Sequence, residues 1–160
     1  MELIEKILSE ENLQKAIRRV KKNKGAPGVD KMTVQEVEEW FNQYKEDLIS
    51  KILNKQYKPM PVKRVYIPKP NGKQRPLGIP TVVDRVIQQA MLQVLSEIYE
   101  SVFSEHSYGF RPNRSAHMAM EEVLGYLNDG YEWIVDLDIE KFFDTVNHDK
   151  LISILRERVN

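Results

Sequence analysis

Two acids stand at i and i+2 in the run Glu132-Trp-Ile-Val-Asp136-Leu-Asp138, alternating with apolar residues. Read as a strand over Glu132–Asp138, the run places Trp133, Val135 and Leu137 on one face and Ile134, Asp136 and Asp138 on the other. Burying such acids is costly unless something pairs with them. Hard carboxylate oxygens at the end of a rigid strand suit Mg²⁺, which keeps waters and bridges to substrate phosphates, so few protein ligands are needed locally. The alternative is a strand end whose acids are solvated or paired with Lys or Arg. A second candidate lies upstream, where Lys69 and Arg75 flank the turn Pro70-Asn71-Gly72. There a point charge and a planar fork can converge on a triphosphate.

Charge is distributed to match. The 160 residues carry 24 Lys+Arg and 24 Asp+Glu, which sets the net charge at zero and taken as a total argues against an anionic polymer as partner. By segment the balance differs. From Leu48 to Val83 there are Lys51, Lys55, Lys58, Lys63, Arg64, Lys69, Lys73 and Arg75 and no acid, whereas 118–160 hold four basic and ten acidic residues. A cationic middle and an anionic end are what a site needs if it holds phosphates on one side and divalent metal on the other. Solvated faces whose charges happen to cluster are the alternative reading.

These residues need elements to carry them, and the pattern is mostly helical. Residues 2–8 and 10–24 read as helices with Leu3, Ile4, Ile7, Leu13, Ala16, Ile17 and Val20 on apolar faces, stopped by Gly25. Thr33-Val-Gln-Glu36 is a capping box before a helix with Val37, Trp40, Phe41, Tyr44, Leu48 and Ile52 at helical spacing. Val62–Pro68 and Pro76–Ile79 form a hairpin, with Asn71-Gly72 supplying the turn. Thr81 caps a long helix, Ser115–Asn128 forms another, and Asn147 caps a last helix that still runs at Asn160, as if the natural protein were longer. A hydrophobic fraction of 41% argues for a packed core. The absence of cysteine excludes disulfides, thiolate metal sites and cysteine nucleophiles. No run approaches the ~20 apolar residues of a membrane span, and the acidic start has no signal pattern. His106, His117 and His148 lack metal-ligand spacing and read as structural. Gly25-Ala-Pro-Gly28 permits a tight loop, but no Lys-Ser/Thr follows it, so it is not a P-loop.

Asp138-Ile-Glu-Lys-Phe-Phe143-Asp144-Thr-Val-Asn-His148 resembles motif A of reverse transcriptases, in a form close to that of group II introns. Three further blocks carry the same resemblance in order. They are Asn23-Lys-Gly-Ala-Pro-Gly-Val-Asp30, Ile67–Pro80 with the helix starting Asp84-Arg-Val-Ile-Gln-Gln-Ala90, and Ser107-Tyr-Gly-Phe-Arg-Pro-Asn-Arg-Ser115. The resemblance implies an α+β fold, with mostly helical fingers, a β-hairpin, and the first strand and helix of a truncated palm. It implies an N-terminal helical extension in 1–24, fingers in 25–130 with the template- and nucleotide-binding hairpin 62–80, and an incomplete palm in 131–160. By the same resemblance Asp138 is the catalytic, Mg²⁺-binding aspartate. Phe143 is the steric gate against a ribonucleotide 2′-OH, and Lys69 and Arg75 hold dNTP phosphates. Lys63, Arg64, Arg85 and Arg111 are expected to meet RNA or template, with Arg111 alternatively tying its own loop. The Gly25–Gly28 loop becomes a lid over template or primer. Asp136 and Asp144 take supporting parts.

The partners implied are intron and template RNA, dNTP and an RNA/DNA duplex, in a bacterial cytoplasm. A two-metal polymerase needs carboxylates from separate segments, and in this family the others lie in a Tyr-x-Asp-Asp hairpin. No Asp-Asp pair occurs in these 160 residues, so they are expected to be inactive alone. Three readings follow: part of an RNA-directed DNA polymerase; an RNA-binding maturase module that aids splicing; or a helical interaction protein without chemistry. The uncovered Trp133, Val135 and Leu137 predict self-association or poor order of the palm strand.

Overall fold

The computed structural model describes residues 2–68, 70 and 72–159. Its helices and hairpin give an α+β fold, and it packs as two compact units, Met1–Ser96 and Glu97–Asn160.

In the first unit α1 (Leu3–Leu8) and α2 (Glu10–Asn23) meet at Ser9. Ser9 ends one helix and caps the next, its hydroxyl accepting from the Asn12 amide at 3.4 Å. The α2 stripe Leu13, Ala16, Ile17 and Val20 is buried, as the helical period requires. It joins Val37, Phe41 and Leu48 of α3 (Val37–Leu53) and Val82, Val86, Ile87, Ala90 and Val94 of α4 (Val82–Tyr99) in one core. Burying each of the larger side chains favours folding by ~1.5–3 kcal/mol. A half-buried polar cluster lies beside this core. The Asn12 amide donates to the carbonyls of Ile7 (2.8 Å) and Ala90 (3.0 Å), and Gln93 donates to Asn12 Oδ1 at 2.7 Å. The Thr33 box forms only in part. Glu36 accepts from the Thr33 amide (2.8 Å) and hydroxyl (2.6 Å), and the helix proper starts at Val37.

Between α3 and α4 the strands β1 (Lys63–Pro68) and β2 (Gln74–Ile79) pair antiparallel, from Lys63 opposite Ile79 to Pro68 opposite Gln74. Both strands are exposed apart from half-buried Val65 and Ile79.

In the second unit a 3₁₀ turn (Glu100–Val102) leads to α5 (Ala116–Asn128), α6 (Phe142–Thr145) and α7 (His148–Arg156). Ser115 caps α5 by accepting from Met118 N at 3.3 Å, and Asn147 caps α7 by accepting from Lys150 N at 2.9 Å. Two expectations are corrected here. Residues 132–138 form no strand, because a strand exists through its pairing partner and the one sheet among the described residues is β1–β2. Trp133 is 95% exposed and Ile134, Val135 and Leu137 are exposed with it, so neither face of the segment is covered. The last helix ends at Arg156, with Glu157 as C-cap, and does not run on to the final residue. No described residue of 97–160 is buried.

Candidate nucleic-acid and nucleotide site

The hairpin register decides which cations share a face. Residues opposite each other project together and successive residues alternate. Lys63, Val65 and Ile67 therefore share a face with Arg75, which lies opposite Ile67, while Arg64 is on the other face. Lys63 and Arg75 stand about 13 Å apart along the ribbon at the rise of a strand. The hairpin thus offers cations on both sides. Between the strands Gly72 has φ +74°. Lys69, expected as a phosphate ligand, lies outside the described residues.

The first turn of α4 holds two other segments in place. Asp84 is 4% exposed. Its carboxylate accepts from the Tyr57 hydroxyl, from the Met60 amide at 3.2 Å and from the Thr81 hydroxyl at 2.6 Å. The Asp84 amide donates back to Thr81 Oγ at 3.2 Å, so Thr81 caps the helix as its type predicts. Burial, and then the bond to Asp84, push the Tyr57 phenol well above its ordinary value. Arg85 reaches the other way. It donates to the carbonyls of Lys24 (3.4 Å) and Ala26 (2.8 Å), while its buried Nε has no partner among the described residues. It also lines a cleft of ≈ 320 Å³ with Val20, Asn23, Lys24, Gln88 and Leu92.

Gly25 and Gly28 serve this packing. Gly25 has φ +109°, and a Cβ there would meet Arg85 Nη1 at 2.9 Å. A Cβ on Gly28 would meet Thr81 Cα at 2.8 Å and Thr81 N at 2.9 Å. The 25–28 loop is therefore seated against the start of α4 by close backbone approach.

Arg111 takes the second of its two expected uses. Its Nε and Nη2 donate to Glu100 Oε1 at 3.0 and 2.8 Å, and Nη1 donates to the carbonyls of Ser104 (2.6 Å) and Ser107 (2.9 Å). The remaining donor reaches Glu100 O at 3.4 Å. All five N–H groups of the guanidinium are engaged within its own loop, which is the use the sequence left open beside a template contact. Nearby, the His106 ring nitrogen Nδ1 lies 2.5 Å from Glu122, and Tyr126 donates to the same carboxylate at 2.8 Å. The Tyr126 bond, and then His106, hold the Glu122 carboxyl below its ordinary value.

Asp138 is exposed, as are Asp136 and Asp144. After Lys141 at φ 51° the chain turns into α6, where the Phe142 and Phe143 rings meet edge-on at 5.6 Å and Phe143 is 90% exposed. Among the described residues no group of three His, Cys, Asp or Glu side chains can hold a metal ion. The residues present do not by themselves fit Mg²⁺. Sequence reasoning missed Asp84 as a structural centre. The Thr81-x-x-Asp84 spacing was its one signal, and the partners Tyr57 and Met60 carried none.

The family described as "Reverse transcriptase (RNA-dependent DNA polymerase)" matches residues 67–159, more than half of the chain, and the chain belongs to that family. "Protein YkfC" of Escherichia coli (strain K12) is 41% identical over 99% of this chain and 43% of its own length. "Group II intron-encoded protein LtrA" of Lactococcus lactis subsp. cremoris is 38% identical over 90% of this chain and 24% of its own length. "Nuclear intron maturase 2, mitochondrial" of Arabidopsis thaliana is 38% identical over 48% of this chain and 10% of its own. Within the family the chain is therefore of the group II intron reverse transcriptase and maturase kind. It spans less than half the length of these relatives. Among the described residues no helix is long and apolar enough to cross a membrane.

Proposed function

We infer that the chain is the N-terminal part of an RNA-directed DNA polymerase of a group II intron, one that binds RNA and dNTP phosphates through its fingers, here 25–130. The observation that carries this reading is the exposed antiparallel ribbon displaying Lys63, Arg64 and Arg75 within a chain matched to the family. Lys69 and Arg75 hold nucleotide phosphates, Lys63, Arg64 and Arg85 meet template RNA, and the Gly25–Gly28 loop lies beside it. Asp138 contributes one carboxylate to a Mg²⁺ site whose other ligands lie outside these residues, and Phe143 excludes a 2′-OH. These 160 residues bind but do not polymerise. A primer-extension assay with Mg²⁺ and the purified 160-mer tests this, with no extension expected; Mg²⁺-dependent DNA synthesis would refute it.

A second reading is a maturase module that grips intron RNA without polymerisation, supported by the basic 48–83 stretch and by the similarity to an intron maturase. Asp138→Ala separates the two. It abolishes dNTP–Mg²⁺ binding if the nucleotide reading holds, and it leaves RNA binding intact under either.

A further inference from the structure

The hairpin's own ladder fixes β1 against β2 but not the ribbon against the helices. A two-stranded ribbon exposed on both faces is marginal by itself, so its pose has to be set at its base. One carboxylate stands there. Asp84 accepts from Tyr57 and Met60 on the leg that enters β1, and from Thr81 on the leg that leaves β2. Met60 lies shortly before Lys63, and Thr81 follows β2 by two residues. Segment 56–62 between α3 and β1 has no helix or strand of its own to stiffen it. The neighbouring Arg85 grips the 24–26 carbonyls from the same helical turn, so both segments take their position from one place.

We propose that Asp84 is a positioning residue for nucleic-acid binding: its buried carboxylate clasps both legs of the hairpin and thereby sets the pose in which Lys63, Arg64 and Arg75 meet the RNA backbone. Asp84 touches no substrate in this role. The chemistry suits it, since a carboxylate offers acceptor sites for three donors at once, whereas an amide turns one of its two ends into a donor. The binding half of this proposal rests on the hairpin reading above; the positional half does not.

The chain lacks cysteine, so Asn42→Cys on α3 and Gln74→Cys on β2, both exposed, accept spin labels without background. Electron–electron double resonance between them is expected to give a narrow distance distribution. Asp84→Asn in the same background is expected to broaden it at least twofold. Affinity for a 20-nucleotide single-stranded RNA should fall about fivefold. The slope of log K against log salt should flatten by about 1–2, at ~0.7 for each phosphate that is no longer neutralised. A merely structural defect would lower thermal stability without changing that slope. An unchanged distribution, or a broadened one with unchanged affinity and slope, overturns the proposal. Should Asp84→Asn fail to fold, Tyr57→Phe removes one donor from the entering leg, and an unchanged distribution there overturns it equally. Failure of the unsubstituted chain to bind RNA at low salt refutes the hairpin reading and leaves the distance test standing.

Discussion

Gly28→Ala offers a direct test of the packing at the start of α4, because two physical effects of opposite sign meet there. Replacing Gly by Ala at an unstrained position stabilises a protein by ~0.4–1 kcal/mol through the unfolded chain. At Gly28 the new Cβ would lie 2.8 Å from Thr81 Cα, 2.9 Å from Thr81 N and 3.0 Å from Pro80 O. Ordinary carbon contacts lie at about 3.5–4.0 Å, so the shortfall is over half an ångström against the nearest of these atoms. All three belong to backbone, and none can turn aside as a side chain would. Either the 25–28 loop or the first turn of α4 must shift, which costs ~1–3 kcal/mol as overpacking. Subtracting the unfolded-state gain leaves a net destabilisation of roughly 0–2.6 kcal/mol, centred near 1.3. Urea unfolding followed by tryptophan fluorescence measures it. Trp40 packs against the core whereas Trp133 is exposed, so the signal reports mainly on the first unit. A stabilising result for Gly28→Ala would contradict the close approach.

Gly125, inside α5 with nothing within 4 Å of an added Cβ, is the opposite case: Gly125→Ala should stabilise α5 by ~1 kcal/mol, read as slower amide exchange there. Arg111→Ala should cost about 2 kcal/mol and open 100–111 to proteolysis, and Arg111→Lys should not restore protection, because a lysine cannot reproduce the planar fork. Asn12→Ala removes the side-chain donor to the Ile7 carbonyl and the acceptor of the Gln93 amide and should cost ~1–3 kcal/mol by thermal unfolding. Tyr57 sets an alkaline limit. Its folded-state pKa is raised, so its contribution is complete below the unfolded value of about 10 and is lost as pH climbs from there towards the folded value. Between pH 10 and 11 stability should fall more steeply in the native chain than in Tyr57→Phe, and equal slopes would contradict the assignment.

Most helices were legible because their signals are local. The Leu13, Ala16, Ile17, Val20 stripe and the caps Thr81 and Asn147 each depend on residues within one or two turns. The hairpin was legible for the same reason. Residues 132–138 were not, because alternation describes what a strand would bury, and pairing depends on a partner that local pattern does not contain. Arg111 carried two readings until the structure brought Glu100, Ser104 and Ser107 around it. Asp84 read as an ordinary first-turn acid, since Tyr57 and Met60 come from a segment without periodicity. Of the site, the hairpin cations and the aspartate strip were visible, and the clasp beneath the hairpin was not.

The buried core lies wholly between Ile7 and Val94, while no described side chain of 97–160 is buried. This has a consequence for the order of events during synthesis. Every residue of that core has left the ribosome once Ser96 emerges, and Asp138 follows 42 positions behind it. At elongation rates of about 5–20 residues per second that interval is roughly 2–8 s, far longer than helices need to form and collapse. The hairpin and its clasp are therefore complete before Asp138 and Phe143 emerge, and the acidic stretch around them emerges only after the basic surface has folded.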